Sequence, residues 1–265
     1  IAEQNLINVS AGIALEGYKV YAYAIAPFIT MRCFEQIRVN LALLSNIRKL
    51  NVNLIGVGAG YSYAVSGPTH QCYEDISLMR TMPNMKIFSP SDQILAENLP
   101  KILDKISGVK YIRLDAQILE AIHTNKITKL SDGFINIISG KDILIIATGF
   151  MVHTAINVAK NLKKKNILAC VVDLFNITNF NQNNLNKLFK KYDYICSFEE
   201  GFEGRGGLDA MLFNFIHLKN LNCKFKNFGV NPEYRFEIGE RKILHEQVGI
   251  GEKILTKQIL KFLKT

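Results

Sequence analysis

Four side chains near the start of the chain have the types and settings from which chemistry could be built. Glu3 stands in Ile1-Ala2-Glu3-Gln4-Asn5, at the head of a segment patterned as a helix. A carboxylate there complements the positive end of the helix dipole. A semi-buried acid in the same place could instead hold a proton for a partner. Phe28 and Arg32 share the stretch Phe28-Ile29-Thr30-Met31-Arg32-Cys33-Phe34-Glu35-Gln36-Ile37-Arg38, where a strand gives way to a helix. Phe28 is either core or a platform for a flat ring. Arg32 opposes the dipole at a helix start, which points to a ligand or a carboxylate as its partner. His70 closes the glycine-bounded loop that ends Gly67-Pro68-Thr69-His70-Gln71. A histidine on a loop after a strand is placed for proton transfer, or serves the loop alone.

Two glycine-rich stretches need separate readings. Gly56, Gly58 and Gly60 lack the spacing of a dinucleotide fingerprint, and Tyr61-Ser62-Tyr63 follows where a helix should begin. Gly201-Phe202-Glu203-Gly204-Arg205-Gly206-Gly207 lies between a strand and a helix. It could cradle an anion at the helix N-terminus, and a tight strand-to-helix crossing explains the glycines as well. Metal-ligand spacings such as His-Glu-x-x-His, the Gly-x-Ser-x-Gly elbow and the phosphate-binding P-loop are all absent from the sequence. The expected metal ligands of this chain are therefore none.

The elements that must position these residues alternate along the chain. Residues 5–16 read as a helix with Leu6, Val9, Ile13 and Leu15 near helical spacing and Gly17 as its cap. Strands are expected at 18–26, 52–57, 85–88 and 109–114, and helices at 32–45, 73–81 and from the cap at Ser91 and Asp92 to about 105. Residues 115–132 read as a linker. Strands follow at 143–148, 168–173, 194–199 and 224–228, with helices at 152–164, 183–191, 208–218 and 252–263. Such alternation predicts an α/β fold of two domains, 1–125 and 126–265, each a mostly parallel sheet with helices on both faces. The chain starts at Ile1, inside this pattern, so an upstream segment is expected.

Composition narrows the class. The chain has 265 residues, 48% hydrophobic and 21% charged, which excludes a disordered protein. Its net charge of +9 divides unevenly, +2 over residues 1–128 and +7 over 129–265. The excess is Lys scattered over amphipathic segments, with no basic stripe or aromatic interleaving, so no nucleic-acid partner is expected. No apolar run approaches the ~18 residues of a membrane span. Five unpatterned cysteines, Cys33, Cys72, Cys170, Cys196 and Cys223, read as reduced thiols of a cytoplasmic protein.

Taken in order, these pieces resemble one family. Ile1-Ala2-Glu3-Gln4, Ala11-Gly12, Gly17, Phe28 with Arg32-Cys33-Phe34-Glu35-Gln36-Ile37-Arg38, Gly67-Pro68-Thr69-His70-Gln71, Glu74-Asp75, Leu78-Met79-Arg80, Pro83-Asn84-Met85 and Pro90-Ser91-Asp92 are similar to the pyrimidine-binding domain of thiamine-diphosphate enzymes of the transketolase group. Residues 133–265 resemble the carboxyl-terminal transketolase domain, including Glu199-Glu200-Gly201 and Gly206-Gly207-Leu208. The fold implied is a thiamine-diphosphate-binding domain followed by a transketolase carboxyl-terminal domain.

The resemblance implies that Glu3 hydrogen-bonds the aminopyrimidine of the cofactor, thiamine diphosphate, and with His70 forms the catalytic pair. It implies that Phe28 stacks on that ring, and that Arg32 serves both cofactor and substrate. Ser66, His70 and Gln71 would face the substrate. The family's diphosphate and Mg2+ motif, Gly-Asp-Gly followed by Asn, is missing here. The partner implied is an amino-terminal subunit carrying it, in an α2β2 heterotetramer with the active site at the interface. Two departures bear on the substrate. Ser66 stands where the family usually has Asp, and Ala116 where it often has a phosphate-binding Arg. The activity implied is ketol transfer on a sugar or sugar derivative. A 2-oxo-acid dehydrogenase β-like subunit, a relative of 1-deoxyxylulose-phosphate synthase and a non-catalytic interaction subunit are the alternatives.

Overall fold

The computed structural model describes residues 1–124, 127 and 130–265. The expected junction between 125 and 126 falls on residues outside those described.

In the first unit the helix Glu3–Leu15 turns through Gly17 into strand β1 (Val20–Ile25). The sheet continues with β2 (Asn51–Val57), β3 (Lys86–Phe88) and β4 (Gly108–Leu114), all parallel, in the order β1-β2-β4-β3. The first helix buries Glu3, Ile7, Ser10, Ala11 and Ala14, and Ile7, Ala11 and Ala14 join Ala22 of β1 in one buried cluster. That departs from the stripe expected from the sequence, of which Leu6 alone packs against this core. Val9, Ile13 and Leu15 point outward and are 50%, 44% and 47% exposed. The helix expected at 32–45 is also different. The chain winds from Phe28 to Asn46 in short turns, wide and π-like over Phe28–Arg32 and Ile37–Leu43, with a break at Cys33. Wide turns of this kind shift side chains off the regular helical face and recur at functional sites. The helix from Asp92 breaks at Leu99, because Pro100 offers no N–H to continue it.

The second unit has the strands β5 (Ile135–Ile138), β6 (Ile143–Ala147), β7 (Ala169–Asp173), β8 (Tyr194–Phe202) and β9 (Lys224–Val230). Their order is β5-β7-β6-β8-β9, with β5 antiparallel to β7 and the other pairs parallel. Every residue of β6 and β7 is buried, as two-sided cover demands. Ile143, Ile145 and Ala147 pack under the helices Met151–Lys163 and Glu252–Phe262. Leu144 and Ile146 pack on the other face, with Leu185, Phe189, Leu208 and Leu212. The edge strand β5 and the helix Arg241–Gln247 are additions to the sequence reading. β5 is only half-buried, so it lacks the unbroken apolar pattern of its neighbours. Among the described residues, no helix is long and apolar enough to cross a membrane.

The two units share polar and apolar contacts. Tyr61, Ala64 and Tyr73 of the first belong to the same buried cluster as β6 and β8 of the second. Backbone bonds run across as well, Ser89 N–H to Phe175 O at 2.7 Å and Ile177 N–H to Ile87 O at 2.9 Å.

Candidate active site

Topology gathers the expected residues at one end of the first sheet. Strands β1 and β2 are in register to their last residues, Ile25 opposite Val57, so the segments that follow them emerge side by side. One carries Phe28 and Arg32, the other His70. The helix Glu3–Leu15 runs antiparallel to β1, which brings its first residue back to the same end. Ligands of open parallel sheets bind outside this carboxyl edge.

There, four of the predicted side chains meet. Arg32 donates from one guanidinium nitrogen to both Glu3 carboxylate oxygens, at 3.3 and 3.4 Å. Its Cζ lies 3.8 Å from the centroid of the Phe28 ring. The His70 ring meets Phe28 edge-on at 5.3 Å between centroids. A flat, N–H-donating cation is thus stacked on Phe28 and hydrogen-bonded to Glu3. The guanidinium side chain is 48% exposed while Glu3 is 8% exposed. With the guanidinium half in water and both bonds long, the pair is weakly held. Glu3 is itself buried. Behind it, burial, with help from the Glu3 charge, pushes the Cys33 thiol up to about 12. Cys33 therefore stays uncharged and donates to Ile29 O at 2.9 Å.

Ser66 and Gln71 part company. Ser66 is exposed on the loop tip. Gln71 is buried, with its amide directed to Ala64 O at 3.4 Å and its carbonyl accepting from the Tyr73 hydroxyl. In this conformation Gln71 braces the loop from inside. Thr69 Oγ1 lies 3.0 Å from His70 Nδ1.

The glycine stretch 201–207 has its anion built in. The Glu199 carboxylate accepts from Leu208 N–H at 2.9 Å and Asp209 N–H at 2.8 Å, capping the helix Leu208–Leu218. A Cβ on Gly207 would lie 2.2 Å from Glu199 Oε2, so the glycine makes room for the internal cap. Burial, with Asp209 adding, pushes the Glu199 carboxyl up to about 7.

Sequence reasoning missed a set of buried ion pairs whose arginines also reach across the units, Arg113 to Glu200 O at 3.1 Å and Arg241 to Asp115 at 2.6 Å. Asp75 pairs with Arg113 at 2.7 Å, and Glu200 with Arg241 and His245. Arg241 and His245 sit on the unpredicted helix, whose flanking glycines, Gly239 and Gly249, and Leu244–Val248 spacing were its available signals. Among the described residues, no three His, Cys, Asp or Glu side chains are grouped as metal ligands.

Known proteins share this architecture. The family model described as the transketolase pyrimidine binding domain matches residues 1–118, and that of the transketolase C-terminal domain matches residues 135–254. A putative transketolase C-terminal section of Methanocaldococcus jannaschii is 30% identical over 267 residues, covering 100% of this chain and 81% of that protein. One of the subunits of an apulose-4-phosphate transketolase of Phocaeicola vulgatus is 29% identical, covering 100% and 82%. Among solved structures, a split-gene transketolase, an inactive beta4 tetramer, superposes with a TM-score of 0.85 at 29% identity, over 100% of this chain and 82% of its own.

Proposed function

Because the chain belongs to the transketolase family and matches its pyrimidine-binding and C-terminal domains, we propose that it is the C-terminal subunit of a two-chain ketol transferase. The reaction moves a two-carbon unit from a ketose to an aldehyde acceptor. The observation that carries the reading is the Arg32 guanidinium, stacked on Phe28 and hydrogen-bonded to Glu3. A flat ring with an N–H edge finds the same two partners there, and the exposed Arg32 can give way to it. An aminopyrimidine is such a ring, so these residues fit the thiamine diphosphate of the family.

Glu3 would then hold the ring through a hydrogen bond, and Phe28 would stack on its face. Bound there, the cofactor supplies the carbanion-stabilising chemistry that side chains lack. His70, beside Phe28, would move a proton at the substrate's oxygens. Arg32, displaced from Glu3, would hold an anionic group of substrate or cofactor. Gln71 keeps the loop in shape, and Ser66 faces the substrate side. Closing the site against a second chain would strip water from Glu3 and favour its protonated form.

The second chain would bring the diphosphate and Mg2+ ligands. Its docking face would include the exposed apolar side chains on the elements that carry the site, Val9 and Ile13 on the first helix and Met31 beside Arg32. The inactivity of the solved beta4 relative favours a need for that partner. We place the pair in an α2β2 assembly. Five unpaired cysteines suit the reducing cytoplasm. The substrate is a sugar or sugar derivative; the P. vulgatus relative is named for one, apulose 4-phosphate.

Mixing the chain with a subunit carrying the diphosphate domain, cofactor and Mg2+ tests the reading. Two-carbon transfer is the expected result. Carbon dioxide release from pyruvate, or transfer unaffected by Glu3→Ala, would sink it. Tight Mg2+-dependent cofactor binding by this chain alone would contradict the division of ligands.

A further inference from the structure

The loop that bears His70 leaves β2 in the first unit, yet its root is held by the second. Glu200 of β8 accepts from Tyr61 N–H at 3.3 Å. The Gly60 backbone passes so near that a Cβ there would lie 2.3 Å from Glu200 Oε2, at a φ of +56°. Glu200 is itself gripped by Arg241, at 2.9 Å from Nε and 2.5 Å from its second nitrogen, and by His245 Nε2 at 2.6 Å. The carboxylate is an acceptor, so Nε2 carries the proton of that last bond.

The circuit then returns to the loop. The remaining Arg241 nitrogen donates to Asp115 Oδ2 at 2.6 Å, and Asp115 Oδ1 accepts from the Ser62 hydroxyl at 2.6 Å. Ser62 accepts in turn from Ala116 N–H at 2.7 Å. Both ends of the loop are pinned together, Gly60 N–H to Cys72 O at 2.9 Å and Cys72 N–H to Gly60 O at 3.0 Å. Holding residues 60–62 therefore holds Cys72, two residues beyond His70. Glu200, Arg241 and His245 are 1%, 6% and 3% exposed. Desolvating such a cluster consumes much of its attraction, and one role left to a buried ionic group is to specify register.

We propose that Glu200 is a positioning residue for the reaction: through Arg241, Asp115 and Ser62 it clamps the His70 loop so that His70 faces Phe28. The C-terminal unit thereby shapes a site whose proposed contacting side chains, Glu3, Phe28, Arg32 and His70, all belong to the first unit. The inference rests on the role given to His70 above.

Amide hydrogen exchange on the chain, and kinetics on the reconstituted pair, test it in Glu200→Gln and Ser62→Ala. In both variants amides 60–72 should exchange about tenfold faster while β6 and β7 keep their protection. In the pair, kcat should fall about tenfold or more while cofactor half-saturation moves less than about twofold, since Glu3 and Phe28 are untouched. Unchanged exchange over 60–72, an equal rise in β6 and β7, or a matching loss of cofactor affinity overturns the clamp. If Glu200→Gln does not fold, Ser62→Ala, which removes no charge, decides by the same criteria. A wild-type pair without transferase activity, with the local exchange response intact, overturns the reading of His70 and supports the clamp.

Discussion

Asp173, at the end of β7, offers a stability test that can be worked through. Its carboxyl is fully buried, takes one bond from the Ser91 hydroxyl at 2.5 Å, and leaves Oδ1 without a partner. His123 Nε2 lies 3.2 Å from Oδ2. Burial pushes the carboxyl from 3.8 up to about 8, with the Ser91 bond opposing and Asp92 adding. Burial lowers His123 as well, so at neutral pH the two meet as uncharged groups. Between about pH 4 and 8 the folded chain keeps a proton that the unfolded chain has released. The stability this proton contributes is complete below the unfolded value and is lost as pH rises through that window. By pH 7 about three pH units of it have gone, ~4 kcal/mol at ~1.4 kcal/mol per unit. Asp173→Asn keeps the shape and has no proton to lose. Its stability relative to wild type should climb by ~1.4 kcal/mol for each pH unit between about 5 and 7.5. Urea midpoints of both proteins at intervals across that range, at constant m, measure the slope. Parallel pH curves would show an ionised Asp173 paired with a charged His123, and would refute the reasoning.

Three further outcomes follow from the site and its supports. Glu3→Gln should cut transfer by the reconstituted pair about 100-fold or more, the scale of proton-transfer catalysis, while leaving the chain's melting curve in place. Phe28→Ala should raise cofactor half-saturation at least about fivefold, because a stacked aromatic pair contributes ~1 kcal/mol beyond area burial; cofactor titration of the pair reads it directly. Gly207→Ala should destabilise the chain by ~2 kcal/mol, since its Cβ would displace the Glu199 carboxylate and strand the N–H groups of Leu208 and Asp209. A denaturant midpoint equal to wild type would count against that cap.

What the sequence could determine was whatever local pattern encodes. Ile143–Ala147, five apolar residues without a polar break, has no place but a strand covered on both faces. Leu208–Leu218 was legible from its glycine-flanked start and its periodicity. Glu3, Phe28, Arg32 and His70 stood out because each sits where a strand or helix ends, and parallel topology sends those ends to one edge. Tertiary structure decided the rest. The first helix shows two apolar faces to a reader of the sequence. Only packing against β1 selects the small one, Ala11 and Ala14, and turns Val9 and Ile13 outward. Arg241 reaches Asp115 from 126 residues away, and Glu200 reaches His245 from 45. A buried charge chooses its partner by distance after the chain has folded, and no spacing rule along the sequence records that choice. The residues proposed to meet the ligand were therefore readable one by one, while the buried charges proposed to hold their loop in place were not.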